Sequence, residues 1–307
     1  MMKVLVTGVG GQLGYDVMNE IARRGYIGIG TDIVDRNNLY VFDKESAIVT
    51  MPYITLDITD KNAVNSVLEQ EKPDVVVHCA AWTAVDVAEE EVNQQKVYAV
   101  NVQGTKNLAN ACKKIDCKMI YISTDYVFNG QGEKPWKEEC REYQPLNVYG
   151  KTKLEGEITV SEILQKYFIV RISWVFGVNG NNFVKTMLKL GKKYEALRVV
   201  KDQIGLPTYT FDLAKLLMDM AETEKYGYYH ATNEGEYISW YDFACAIFKI
   251  AGYNTKVIPV TTEEYGVSKA KRPLNSRLST GKLKEQGFEN LSNWKKALED
   301  FYYKLKL

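Results

Sequence analysis

Tyr149 and Lys153 stand four residues apart in the run Pro145-Leu-Asn-Val-Tyr-Gly-Lys-Thr-Lys153. On a helix that spacing places both side chains on one face. An ammonium beside a phenol favours the ionised phenol, so a tyrosine whose ordinary pKa is about 10 gains the ability to exchange a proton near neutral pH. Solvated helices carry the same pair without any function, so its meaning depends on what lies upstream.

Upstream lies Thr7-Gly8-Val-Gly-Gly11-Gln-Leu-Gly14, between the first apolar run and the first helical pattern. Gly8 permits a tight turn, Gly11 lets backbone approach a pyrophosphate, and Gly14 lets the helix pack closely on the strand, with the helix N-terminus facing the anion. Glycines at 8, 11 and 14 depart from the usual GxGxxG spacing, but the loop sits at the strand-to-helix junction where a dinucleotide binds. Asp32, after the second apolar run, can accept hydrogen bonds from an adenosine ribose. Its charge repels a 2′-phosphate and so favours NADH over NADPH, while the nearby Arg36 is able to offset that repulsion. Asp57 closes another short apolar run within reach of an adenine, and Thr59 or Asp60 reads as a helix cap.

The elements that must position these groups alternate. Residues 3–7, 26–30, 74–78, 118–123 and 168–172 read as strands; residues 11–24, 91–114 and 147–165 read as helices, the first with Leu13, Val17 and Ile21 on one face. Continuously apolar, β-branched strands predict a parallel sheet covered on both faces. The fold class is therefore α/β, a Rossmann-like doubly wound parallel sheet with a smaller C-terminal substrate lobe. Residues 1–172 with 205–231 are assigned to the dinucleotide domain and residues 173–204 with 232–307 to the lobe. There, Ser239 reads as an N-cap, and the stripe Trp240, Phe243, Ala244, Ile247, Phe248 and Ala251, ending at Gly252, reads as core.

Bulk composition narrows the partners. Lys plus Arg equals Asp plus Glu, 39 of each, which leaves no electrostatic footprint for nucleic acid or an anionic membrane. Hydrophobic residues make up 46% of the 307, yet no apolar run approaches the roughly 20 residues of a membrane span, and the start is too polar for a signal-peptide core. A cytoplasmic protein acting on a small molecule is expected. The five cysteines show no metal-ligand spacing and no disulfide framework, and His78 and His230 are the only histidines, so no metal site is assigned. Cys79 reads as core filler and His78 as a satisfied strand-end residue. A homodimer and a need for Mg2+ are both left open.

Together the Gly8/Gly11/Gly14 loop, His78-Cys-Ala-Ala81, Asn101-Val-Gln-Gly-Thr105, Ser123-Thr124 and the Tyr149/Lys153 pair resemble the extended short-chain dehydrogenase/reductase family. Further runs narrow the resemblance to the dTDP-4-dehydrorhamnose reductases: Ala81-Trp-Thr-Ala-Val-Asp86, Ser123-Thr-Asp-Tyr-Val-Phe128, Arg171-Ile-Ser-Trp-Val175, Gly180-Asn-Asn-Phe183, Asp202-Gln-Ile-Gly-Leu-Pro-Thr208 and Arg272-Pro-Leu-Asn-Ser276. Trp82 stands where that family more often has Tyr. The resemblance implies that Tyr149 is the general acid, that Lys153 positions the cofactor ribose and tunes Tyr149, and that Thr124 hydrogen-bonds the substrate carbonyl. It adds Gln12, Leu13, Asp57, Ile58, Ala80, Ala81 and Thr83 to Gly8, Gly11 and Asp32 around NADH or NADPH. It places Val85, Asp125, Tyr126, Trp174 and Asn182 around a nucleotide-sugar and has Asn101 hold the helix geometry. Trp174 is a sugar or base platform, or a core tryptophan at a strand end. Arg272 and Arg277 are candidates for a diphosphate, although loop arginines are more often solvated.

The activity so implied is reduction of the C4 keto group of dTDP-4-dehydro-L-rhamnose to dTDP-L-rhamnose. A sugar 4,6-dehydratase of this fold carries Asp-Glu after the Thr, and here Tyr126 follows Asp125, so elimination lacks its base. An epimerase needs only the Tyr/Lys/Thr set and a retained cofactor, and would not consume NADH stoichiometrically. A non-catalytic regulatory subunit has no need of the intact trio.

Overall fold

The computed structural model describes residues 1–306. Strands β1 (Lys3–Thr7), β2 (Ile27–Asp32), β3 (Tyr53–Thr55), β4 (Val75–His78), β5 (Lys118–Thr124) and β6 (Tyr167–Ile172) join the strand Gly227–His230 in a seven-stranded sheet. All of its pairings are parallel, in the order 227–230, β6, β5, β4, β1, β2, β3. The chain leaves β1 for β2 and β3 on one side and returns to β4 on the other, which opens a crevice beyond the carboxyl ends of β1 and β4.

Alternate strand residues enter separate cores, as a sheet covered on both faces requires. Val4, Val6, Val77 and Val170 meet Val17, Met18 and Ile21 of the helix Gln12–Arg23 and Leu213 and Leu217 of the helix Thr210–Ala221. Leu5, Val76, Met119 and Ile169 meet Val64 and Leu68 of the helix Lys61–Glu71, Leu108 and Cys112, and Val160 of the helix Val148–Ile163. The first core continues into the late elements through Phe243, Ile247 and Phe301.

Polar side chains set the helix starts. Asp60 rather than Thr59 caps the helix Lys61–Glu71, accepting from the backbone of Asn62 and Ala63. Asn147 accepts from the backbone of Gly150 at 2.8 Å and opens the helix bearing Tyr149 and Lys153. Ser239 and Asp242 form a capping box at the helix Trp240–Ala251, which Gly252 ends with φ +70°. The helical segment 91–114 departs from simple periodicity: residues Ala99–Gly104 form a π-helical turn, and Thr105 Oγ1 donates to the carbonyl of Asn101 at 2.7 Å. Among the described residues, no helix is long and apolar enough to cross a membrane.

Candidate active site

A cleft of about 990 Å³ occupies the crevice, bounded by the ends of β1, β2, β4, β5 and β6. Its size suits a dinucleotide and a second ligand together. The glycine loop floors one end. Gly8 holds φ +72°, and a Cβ there would lie 2.7 Å from the backbone of Ala80 on the next strand's exit. A Cβ on Gly14 would lie 2.4 Å from the Gly8 carbonyl, so this glycine sets the helix-to-strand approach. Gly11 is the N-cap, and no side chain caps the helix Gln12–Arg23. Backbone N–H groups at the helix start are therefore left for an anion, and the cradle fits a pyrophosphate. Gly10, not singled out in the sequence, donates its N–H to Asp32 Oδ2 at 2.9 Å and so aims that carboxylate at the cleft.

Around this loop the cleft wall carries Gln12, Leu13, Asp57, Ile58, Ala80, Ala81, Thr83 and Val85. Asp57 Oδ1 accepts from the backbone and hydroxyl of Thr59, a turn that leaves its other oxygen outward. Arg36 lies apart: its guanidinium donates to the carbonyls of Ile48, Val49 and Met51.

At the opposite end Thr124, Tyr149 and Lys153 share one wall. Thr124 closes β5, and its Oγ1 donates to Asp125 Oδ1 at 3.0 Å while accepting from the backbone of Tyr126. Tyr126 and Tyr149 meet in a T-shaped pair, ring centroids 5.7 Å apart and planes at 77°. Lys153 is 3% exposed, its Nζ 4.0 Å from the centroid of the Tyr121 ring, and Tyr121 donates its hydroxyl to the Lys153 carbonyl. Asn101 in the π turn donates to Thr152 Oγ1 at 3.0 Å and bonds both backbone groups of Trp82, joining the catalytic helix to the β4 exit.

Burial decides the protonation states, and here the structure departs from the sequence expectation of a phenol drawn toward ionisation. Burial pushes Tyr149 above its ordinary value, and the hydrogen bond to Thr124 offsets this only in part. Burial pushes Lys153 down to about 7, against the pull of Glu157. Glu157 follows Lys153 by four residues on the same helix and is fully buried, as is Arg171, whose Nε and Nη2 bind its two oxygens at 2.8 and 2.7 Å. Asp125 rises to about 6 through burial. His78 falls to about 3 through burial and the Lys153 charge; its ring nitrogens lie 2.8 Å from Thr7 Oγ1 and 3.1 Å from Thr105 Oγ1. Cys79 lines the cleft, but burial pushes its thiol to about 12, which keeps it protonated.

Beyond Tyr126 the wall continues through Trp174, Trp240, Phe183, Asn181 and Arg272. Trp240 packs against the core through Phe183 and Phe243, as its helical stripe predicts, and in addition reaches the cleft wall. Asn182 lies beside the cleft between the lining residues Asn181 and Phe183; its Oδ1 caps the helix Phe183–Gly191 through the backbone of Lys185, and its Nδ2 donates to Gln12 Oε1 and the Gly177 carbonyl. Arg272 reaches the cleft wall paired to Asp86, with Nη2 2.7 Å from Oδ2, while Arg277 turns to Asn275 Oδ1.

The family model described as RmlD substrate binding domain matches residues 2–307. A dTDP-4-dehydrorhamnose reductase of Aggregatibacter actinomycetemcomitans is 39% identical, with 98% of each chain covered. A crystal structure of a dTDP-4-dehydrorhamnose reductase from Clostridium acetobutylicum superposes with a TM-score of 0.89 at 40% identity over 100% of both chains. The Bacillus anthracis enzyme of the same name, solved in complex with NADP, superposes with a TM-score of 0.87 at 38% identity, over 99% of this chain and all of the other. With its glycine cradle and its Thr124/Tyr149/Lys153 wall on one cleft, this chain belongs to the RmlD substrate binding domain family.

Proposed function

We propose that the protein reduces the C4 keto group of dTDP-4-dehydro-L-rhamnose to give dTDP-L-rhamnose. The observation that carries this reading is the convergence of Thr124, Tyr149 and Lys153 on the wall of the same cleft that the Gly8–Gly14 loop floors. A reduced nicotinamide dinucleotide supplies the hydride when bound. Gly8, Gly11 and the helix start hold its pyrophosphate, Asp32 its adenosine ribose and Lys153 its second ribose. Residues 1–172 with 205–231 serve the cofactor, and residues 173–204 with 232–307 bring Trp174, Trp240 and Arg272 to the sugar nucleotide.

Because burial holds the proton on Tyr149, the phenol keeps it until the carbonyl oxygen gains negative charge, and then donates it there. Thr124 turns its hydroxyl from Asp125 to the same oxygen and stabilises the developing charge. Lys153, with a pKa near 7, can carry charge on the wall it shares with Tyr149 or release a proton at the working pH. Tyr126, in its T-shaped pair with Tyr149, fills the place of the second carboxylate that elimination requires, which favours reduction over dehydration.

Asp32 also favours NADH. The one cation near it in sequence, Arg36, donates Nη2 to three carbonyls and is not among the residues lining the cleft, which keeps it from offsetting the Asp32 charge at a 2′-phosphate. The NADP bound to the 38% identical relative makes that preference a matter for direct comparison in this chain.

The test is NADH and NADPH oxidation by the purified protein with dTDP-4-dehydro-L-rhamnose. One cofactor oxidised per sugar reduced supports the assignment. Isomerised sugar without net oxidation would replace it with an epimerase, and tight cofactor binding without turnover would replace it with a regulatory role.

A further inference from the structure

Asn179 is fully buried, and its hydrogen-bond partners are remote in sequence. Its Nδ2 donates to the Gly10 carbonyl at 2.9 Å and to the Tyr40 carbonyl at the longer distance of 3.5 Å, while its Oδ1 accepts the Phe42 N–H at 2.9 Å. One side-chain amide therefore joins the glycine loop to residues 39–42, a stretch that belongs to no helix or strand. Leu39 packs on the same point: a Cβ on Gly10 would lie 2.8 Å from Leu39 Cδ2.

The glycine loop needs such a tether. Gly10 and Gly11 have no Cβ to restrict their backbone, and the peptide between them is planar, so a bond to the Gly10 carbonyl also orients the Gly11 N–H. That N–H donates to the Gly8 carbonyl at 3.1 Å and closes the turn that carries the chain into the helix Gln12–Arg23. With its N–H on Asp32 and its carbonyl on Asn179, Gly10 has a side-chain partner for each of its polar groups.

Asn179 is itself held from both sides. Lys185 Nζ donates to the carbonyls of Val178 and Gly180 at 2.5 and 2.8 Å, and Asn182 Nδ2 donates to the Gly177 carbonyl and to Gln12 Oε1. Residues 177–182 so form a tied loop that lines the cleft through Gly180 and Asn181 and grips the glycine loop through Asn179 and Asn182.

We propose that Asn179 is a positioning residue for cofactor binding, fixing the Gly10–Gly11 peptide so that the backbone N–H groups at the helix start stand ready for the pyrophosphate. This rests on the reading of the Gly8–Gly14 loop as the cofactor cradle. Asn179 is not among the residues lining the cleft, so its effect reaches the cofactor through the loop it holds.

Asn179→Ala removes the tether, and Asn179→Asp keeps the acceptor for Phe42 while losing the donor to Gly10. The pyrophosphate is common to NADH and NADPH, so Kd for both is expected to rise about tenfold in each variant, with KM for the nucleotide-sugar and kcat at saturating cofactor within about threefold of the parent. A variant in which cofactor Kd, sugar KM and kcat all worsen together has lost packing in general, which overturns the role. Parent-like Kd in Asn179→Asp beside a raised Kd in Asn179→Ala also overturns it, because the effect then lies in residues 39–42. The unmodified protein supplies a reading that needs no variant to fold. Saturating NADH or NADPH, whichever the parent binds more tightly, is expected to slow hydrogen exchange at the Phe42 amide by about threefold or more, although Phe42 lies outside the cleft wall. An exchange rate untouched by cofactor overturns the role of Asn179. A parent that binds neither cofactor removes the cradle reading, whereas parent and both variants binding alike remove the positioning role alone.

Discussion

Thr124 Oγ1 donates to Asp125 Oδ1 across 3.0 Å in the buried wall of the cleft. A carboxylate 2% exposed is costly to ionise, and burial outweighs the support of Ser276 and Thr124, so its pKa is pushed up to about 6 from the ordinary 3.8. The folded state therefore holds this proton more tightly than the unfolded chain. Its contribution to stability is full below about 3.8 and is lost as pH rises through about 6.

Asp125→Asn keeps the acceptor for Thr124 and removes the charge. At pH 8 the variant is expected to be more stable than the parent by about 2 to 3 kcal/mol, with the advantage vanishing below pH 4. Urea melts of both proteins across that range check it; a difference that does not change with pH contradicts it.

Glu157 and Arg171 form a fully buried, bidentate pair, and Arg171 also donates to the Tyr143 hydroxyl at 2.7 Å. Removing one charge strands the other. Glu157→Gln is expected to cost about 3 to 5 kcal/mol, while the double variant Glu157→Gln with Arg171→Met recovers most of it. Chemical denaturation decides between this and a pair of little consequence, for which the single variant would unfold like the parent. Where the double variant folds, loss of the Glu157 pull lowers the Lys153 pKa further, and any limb of the pH–rate profile that Lys153 sets moves to lower pH.

Asp32 is aimed at the cleft by the N–H of Gly10. Asp32→Ala is expected to shift the ratio of kcat/KM for NADPH over NADH upward by about tenfold, the scale of removing one unfavourable charge contact. Parallel initial-rate measurements with both cofactors check this. An unchanged ratio would show that the carboxylate does not face the 2′-position.

Much of this was legible because the signals are local. Gly11 and Gly14 act through contacts within their own loop and helix, although Gly8 also meets Ala80 beyond β4, and helix periodicity alone places Tyr149 and Lys153 on one wall. What was not legible depends on tertiary context. Trp240 shares its stripe with Phe243 and Ile247, and spacing cannot tell a first turn that lines a cleft from the buried turns behind it. Asn182 has the side chain of a ligand contact and equally that of an N-cap, and spacing does not show that the helix start at Phe183 takes its Oδ1. The phenol was expected to be drawn toward ionisation by its neighbour; desolvation, which no spacing reports, reversed the direction. The short strand Gly227–His230 exists only because β6 offers it an edge.

The central claim is that Tyr149 donates the proton to the carbonyl oxygen, and Tyr149→Phe tests it most directly when NADH affinity and turnover are measured on one preparation. The account predicts a fall in kcat of about 10² to 10⁴ with the NADH Kd unchanged. Turnover within about threefold of the parent would contradict it and move the proton donor to another residue of the cleft.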